Sequence, residues 1–147
     1  AYNVGSIFRT ADSALVSELI LTGYTPCPPK KEVLKTALGA TESVPWRYFR
    51  NPADAVMDEQ NAGKKVFALE ITDDSRSYSD YAENDFPLSI VLGNELTGVK
   101  EEVLEICDGA IEIPMYGVKH SLNVGVSAGI AVYEAVKIYK SLTSEKP

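Results

Sequence analysis

Cysteine and histidine are scarce in this 147-residue chain: there are two of the first and one of the second. Cys27 and Cys107 cannot form a disulfide framework, and neither sits in a metal-like cluster, so no metal is expected and a reduced, cytoplasmic setting is the simplest fit. No apolar run approaches membrane-spanning length, and the first residues lack the form of a signal peptide. There is no Gly-Lys-Ser/Thr loop and no Gly-x-Gly-x-x-Gly, so the usual phosphate cradles are missing. No nucleophile-base-acid triad is visible, and repeats, linkers and low-complexity blocks are absent. Basic charge is also short: 14 Lys and Arg against 21 Asp and Glu leave a net charge of −7. That balance argues against broad, non-specific affinity for nucleic acid, though not against a local basic patch.

What is present is ordinary globular composition, 45% hydrophobic and 24% charged, in a length that suits one domain (residues 1–147) with a real core. Val4, Ile7, Phe8, Ala11 and Leu15 keep helical spacing, with Asn3 as a candidate cap. Leu19-Ile20-Leu21 reads as a short buried strand, Thr25 to Pro29 as a proline-broken loop, and Val44 to Tyr48 as another strand. Pro52 to Asn61 reads as a helix with Gly63 just past its end. Val66 to Leu69 and Leu88 to Leu92 are continuous apolar runs, the pattern of strands buried on both faces in a parallel sheet. Val99 to Ile106 is a short helix, Ala110 to Ile113 a last strand, and Leu122 to Ser141 a long closing helix. This alternation predicts an α/β fold, a mostly parallel sheet flanked by helices. Such a domain ordinarily opens on a strand, whereas this sequence opens on a helix, so a first strand is expected to be missing or to lie upstream.

In open α/β sheets, ligands bind at the carboxyl ends of the strands. Three loops fall there: Glu70-Ile71-Thr72, Gly93-Asn94-Glu95, and Met115 to Asn123. Each alone reads as a turn with its usual Gly and Asn; three at strand ends in one short chain favour a ligand site. Gly93 and Gly117 would let backbone approach a ligand closely. Arg9, amid Ile7, Phe8 and Ala11, is either a snorkelling surface arginine or a guanidinium fork for a phosphate or oxyanion. Glu95 either decorates the next helix or orients Asn3 or Arg9.

Three segments, Asn3 to Ala11, Leu92 to Gly98 and Ile113 to Val126, together resemble motifs 1, 2 and 3 of the SpoU/TrmH family of the SPOUT class of RNA methyltransferases. Lys35 to Ala40 and Ala68-Leu69-Glu70 also fit, and the resemblance spans nearly the whole chain. It implies a deep trefoil knot in the C-terminal part of the fold, against the general expectation of unknotted connections. It implies S-adenosylmethionine as cofactor, bound bent within the knot, and an obligate homodimer with an active site between subunits. The expected reaction is methyl transfer to a ribose 2′-hydroxyl of tRNA or rRNA, with no role for DNA or a membrane.

Residue by residue, the resemblance makes Gly93, Ile113 and Leu122 cofactor contacts, largely through backbone and apolar packing, with Thr72, Leu92 and Met115 as further cofactor candidates. Arg9 matches the catalytic arginine, and Asn3, Glu95, Ser121 and Asn123 the polar residues around it. A guanidinium resists deprotonation, so Arg9 is read as an RNA-phosphate clamp and alkoxide stabiliser rather than a base. Arg47, Arg50, Lys119 and His120, with Tyr48 or Tyr116 for base stacking, are candidate RNA contacts or else solvated surface residues. The competing readings are a non-catalytic knotted module that binds RNA or cofactor, and a flavodoxin-like nucleotide binder.

Overall fold

The computed structural model describes residues 2–119 and 121–143. The chain forms two compact units, Ala1–Ala55 and Val56–Pro147.

In the first unit, helix α1 (Tyr2–Ala14) turns Val4, Phe8 and Ala11 into a core completed by Leu21, Val33, Ala37 and Val44. The chain is already helical at Tyr2, so Asn3, expected as a cap, stands inside the first turn instead; a cap residue needs non-helical backbone, which that position does not have. Strand β1 (Leu19–Thr22) leads to two short helices, α2 (Lys31–Ala37) and α3 (Ala40–Ser43), and then to β2 (Trp46–Phe49). A Cβ on Gly5 of α1 would stand 2.6 Å from the Val33 carbonyl oxygen of α2 and closer still to the Thr36 hydroxyl, so only glycine lets these helices meet. β1 and β2 pair in parallel, from Leu19 opposite Trp46 to Thr22 opposite Phe49. Helix α4 (Pro52–Asn61) follows, with Pro52 at its first position, the Asn51 side chain accepting from the Ala53 N–H at 3.0 Å, and Gly63 (φ 91°) just beyond its end.

The second unit holds β3 (Lys65–Leu69), β4 (Arg76–Ser77), β5 (Leu88–Val91), α5 (Glu101–Ile106), β6 (Gly109–Glu112) and α6 (Val124–Thr143). Its sheet has the order β4-β6-β3-β5, and every pairing in it is parallel. Successive side chains of β3 point to opposite faces. Val66 and Ala68 enter one core with Val56, Val99 and Val103; Phe67 enters the other with Tyr81, Ile111 and Ala135. The apolar run is therefore buried on both faces, as its composition predicts. Phe67, Tyr81, Phe86 and Tyr139 form a chain of ring contacts 5.4 to 5.8 Å apart that carries this second core out to α6. The α/β class and parallel pairing match the sequence reading, but the strands form two hydrogen-bonded sheets rather than one. α2, α3 and the two-residue β4 are elements the sequence reading did not assign. Among the described residues no helix is long and apolar enough to cross a membrane.

Candidate functional site

Because the strands of the second unit run parallel, β3, β5 and β6 end on the same edge of the sheet. Three loops leave them there: 70–75, 92–100 and 113–123. Between these loops and the first turn of α6 lies a cavity of about 370 Å³, within the roughly 300–1,000 Å³ of small-ligand pockets. Leu92, Gly93, Ile113, Met115 and Leu122, all singled out as cofactor contacts, line it, as do Glu95 and Ser121.

The loop after β5 is knitted from its own backbone. The Gly98 N–H donates to the Asn94 carbonyl at 2.8 Å, and the Asn94 N–H to the Gly98 carbonyl at 3.2 Å. Asn94 Oδ1 accepts from the N–H groups of Leu96 (2.8 Å) and Thr97 (3.3 Å), which leaves Leu96 exposed at the tip. A Cβ on Gly93 would stand 2.5 Å from the Gly98 carbonyl carbon and 2.6 Å from the Val99 nitrogen. Gly93 is thus required by the loop's own return strand. Gly117, the other glycine expected to admit a ligand, has open space around it.

Asn123 caps α6: its Oδ1 accepts from the N–H groups of Gly125 (2.8 Å) and Val126 (3.3 Å). Thr72 lies outside the cavity lining, in a closed turn where its N–H donates to Ser75 Oγ at 3.2 Å and its hydroxyl donates to Asp74 Oδ1 at 2.9 Å. Asn3 and Arg9 belong to the first unit; Arg9 is exposed on α1. His120 lies outside the described residues. Arg47 is committed to a two-point ion pair with Glu18 (2.8 and 3.0 Å) and stacks 5.2 Å over the Phe49 ring. The Tyr48 hydroxyl donates to the Gly23 carbonyl at 2.6 Å. Arg50, Lys119 and Tyr116 are exposed.

The charge of the cavity is distinctive. Glu70, Glu95 and Glu112 line it, and among the described lining residues there is no Lys or Arg. Carboxylates with apolar walls and backbone dipoles suit a cationic ligand and disfavour a phosphate. A second cavity of the same volume, at the amino ends of β3 and β6, is lined by both signs of charge: Lys65 and Arg76 with Asp74, Asp85 and Asp108. There the buried Asp85 meets Lys65 at 3.6 Å and Arg76 at 3.4 Å, and the Arg76 guanidinium lies 4.9 Å over the Phe67 ring. Neither cysteine is poised for chemistry: burial raises Cys27, and burial with the neighbouring Asp108 pushes the Cys107 thiol up to about 11, where it stays protonated at neutral pH. Glu70 and Asn94 were not among the site residues chosen from sequence. Their one legible signal is position, at the first polar residues past two apolar strands.

An α/β domain with a ligand pocket built from loops at the carboxyl ends of parallel strands is the class this geometry defines. Residues 1–133 match the SpoU rRNA Methylase family, and the chain belongs to it. It is similar to the tRNA (guanosine(18)-2′-O)-methyltransferase of Aquifex aeolicus, 36% identical over 140 residues that cover 91% of this chain and 63% of that protein. It is also similar to the 23S rRNA (guanosine-2′-O-)-methyltransferase RlmB of Vibrio parahaemolyticus, 35% identical over 136 residues, 92% of this chain and 54% of that one. The chain thus spans little more than half the length of curated relatives it matches. Among solved structures, the A. aeolicus TrmH/SpoU tRNA modifying enzyme superposes with a TM-score of 0.84 at 31% identity, covering 97% of this chain and 71% of that one. The AdoMet-bound rRNA methyltransferase of Sinorhizobium meliloti does so with a TM-score of 0.84 at 28% identity, covering 93% and 52%.

Proposed function

We propose that this chain is the methyltransferase domain, residues 1–147, of an enzyme that transfers a methyl group from S-adenosylmethionine to a ribose 2′-hydroxyl of tRNA or rRNA. The observation that carries the reading is the acidic, apolar-walled cavity at the ends of β3, β5 and β6, which holds carboxylates where a nucleotide binder needs cations. Relatives named as tRNA and rRNA 2′-O-methyltransferases, and a neighbour solved with AdoMet, support it.

When bound, S-adenosylmethionine supplies an activated methyl group on a positively charged sulfur. The chain's own residues then have to place and orient the reactants. Backbone groups around Gly93 and Ile113 would hold the polar edge of the cofactor, while Leu92, Met115 and Leu122 pack its apolar parts. Glu95 and Ser121 offer polar contacts at the mouth, and Asn123 orients that segment through the start of α6. Thr72 remains a cofactor candidate by resemblance, acting through the shape of its turn. Arg9, with Asn3, is assigned the RNA phosphate and the developing alkoxide, and the hydroxyl proton passes to the phosphate or to water. A fork of five donors suits that role where a lysine point charge does not.

The same reading includes a homodimer, a C-terminal trefoil knot and a cytoplasmic setting. An exposed apolar stripe on α6, Val126, Ile130 and Tyr133, supports the dimer. The knot rests on the family resemblance, supported by a strand order that puts β6, the last strand in sequence, inside its sheet between β4 and β3. Two free thiols support the reducing compartment.

The test is incorporation of radiolabelled methyl from S-adenosylmethionine into total tRNA and rRNA, with the product nucleotide mapped. Incorporation at a ribose 2′-oxygen, lost in Arg9→Lys, is the expected result. Cofactor binding without transfer to any RNA would point to the non-catalytic module. Absence of S-adenosylmethionine binding would return the nucleotide binder.

A further inference from the structure

We infer that Glu70 is a positioning residue for the methyl-donor cavity, bracing the loop after β5 from the end of β3; this rests on the reading that the cavity takes S-adenosylmethionine. Glu70 is the first residue beyond β3. Its backbone N–H donates to the Ile111 carbonyl of β6 at 3.0 Å. Its carboxylate reaches the other way: Oε2 accepts from the Val99 N–H at 3.0 Å, and Oε1 from the Ile71 N–H at 3.3 Å. One residue therefore ties together the ends of β3 and β6 and the return of the β5 loop, the three sides of the cavity.

The contact is tight. A Cβ on Gly98, whose φ is +70°, would stand 2.5 Å from Glu70 Oε2, so the glycine is where the carboxylate passes to reach Val99. Val99 and Gly98 are in turn the atoms against which Gly93 packs. The position of Gly93, which lines the cavity with its backbone, is thus set through Val99 by Glu70. Hydrogen bonds to an ionised carboxylate are about twice as strong as neutral ones. A neutral amide cannot replace it fully: after Glu70→Gln the side chain would offer its oxygen to one N–H and its NH₂ to the other.

The role is tested with Glu70→Ala and Glu70→Gln in the intact chain, by calorimetric titration of S-adenosylmethionine, initial rates of methyl transfer to RNA, and amide hydrogen exchange without ligand. In Glu70→Ala the dissociation constant and KM for S-adenosylmethionine should rise about tenfold or more, with kcat at saturation held within about twofold. The Val99 amide should exchange about tenfold faster or more, and Glu70→Gln should fall between the two proteins in each measurement. Unchanged affinity, unchanged exchange at Val99, or a fall in kcat at unchanged affinity would each overturn the brace. Should Glu70→Ala fail to fold, Glu70→Gln is judged alone by the same outcomes. A wild-type chain that does not bind S-adenosylmethionine sinks the functional reading, and hydrogen exchange at Val99 then still decides whether the brace exists.

Discussion

A space too small for one methyl group shapes the loop after β5. Gly93 is required because its own loop returns across it at 2.5 Å, not because its backbone is free to twist. Gly93→Ala should therefore destabilise the protein by about 1–3 kcal/mol and weaken S-adenosylmethionine binding, whereas Gly117→Ala, which meets nothing within 4 Å, should leave the melting curve near wild type. Thermal denaturation of the pair, followed by ligand titration, checks both. The loops holding Gly93 and Met115 to Asn123 could be chosen from sequence because ligand loops follow apolar strands in an α/β sheet, while the choice of Gly93, Leu92, Ile113, Met115 and Leu122 as cofactor contacts came from the family resemblance. Glu70 could not be weighted in the same way: its position past an apolar strand puts it in a candidate loop, but its importance lies in a bond to Val99, 29 residues away.

At the scale of elements, the strands were legible wherever burial was two-sided. Val66-Phe67-Ala68-Leu69 has no polar member because both faces of β3 are covered. α2 was not legible: it has seven residues, only Val33 and Ala37 of it are buried, and it ends at a left-handed Leu38 (φ 50°), a conformation that leucine does not announce. β4 is two residues long and exists only by pairing with β6. α6 starts at Val124, two residues past the Leu122 that periodicity suggested, because Asn123 caps the helix rather than joining it. The family resemblance also gives that residue a polar role in the proposed active site, and the two roles can be separated. Asn123→Ala should lose about 1 kcal/mol of stability with the cap, while Asn123→Ser should keep most of it. If Asn123 also serves the reaction, Asn123→Ser will melt near wild type yet transfer methyl groups more slowly; equal turnover would assign it to capping alone.

For the molecule as a whole, the acidic excess falls on the second unit, while acidic and basic residues nearly balance in the first. On the proposed function, an RNA backbone would meet less repulsion at the first unit, where Arg9, Lys30, Lys31, Lys35 and Arg50 are exposed. The stripe Val126, Ile130 and Tyr133 on α6 gives the homodimer its test: Ile130→Glu should shift the mass in light scattering from dimer to monomer while far-ultraviolet dichroism is retained. A wild-type chain that is monomeric at the same concentration would remove the dimer from the reading. Sequence by itself determined the α/β alternation, the parallel strands and which loops gather at the strand ends where the cavity lies, because periodicity and chain order follow from local chemistry. It also carried the family, since three ordered motifs hold their spacing along the chain. Only tertiary structure decided that Glu70, Glu95 and Glu112 gather around one cavity without a Lys or Arg among its described walls, and that Glu70 braces its rim. Those facts depend on which strands lie side by side, and the energy that sets strand order comes from contacts between residues far apart in the chain.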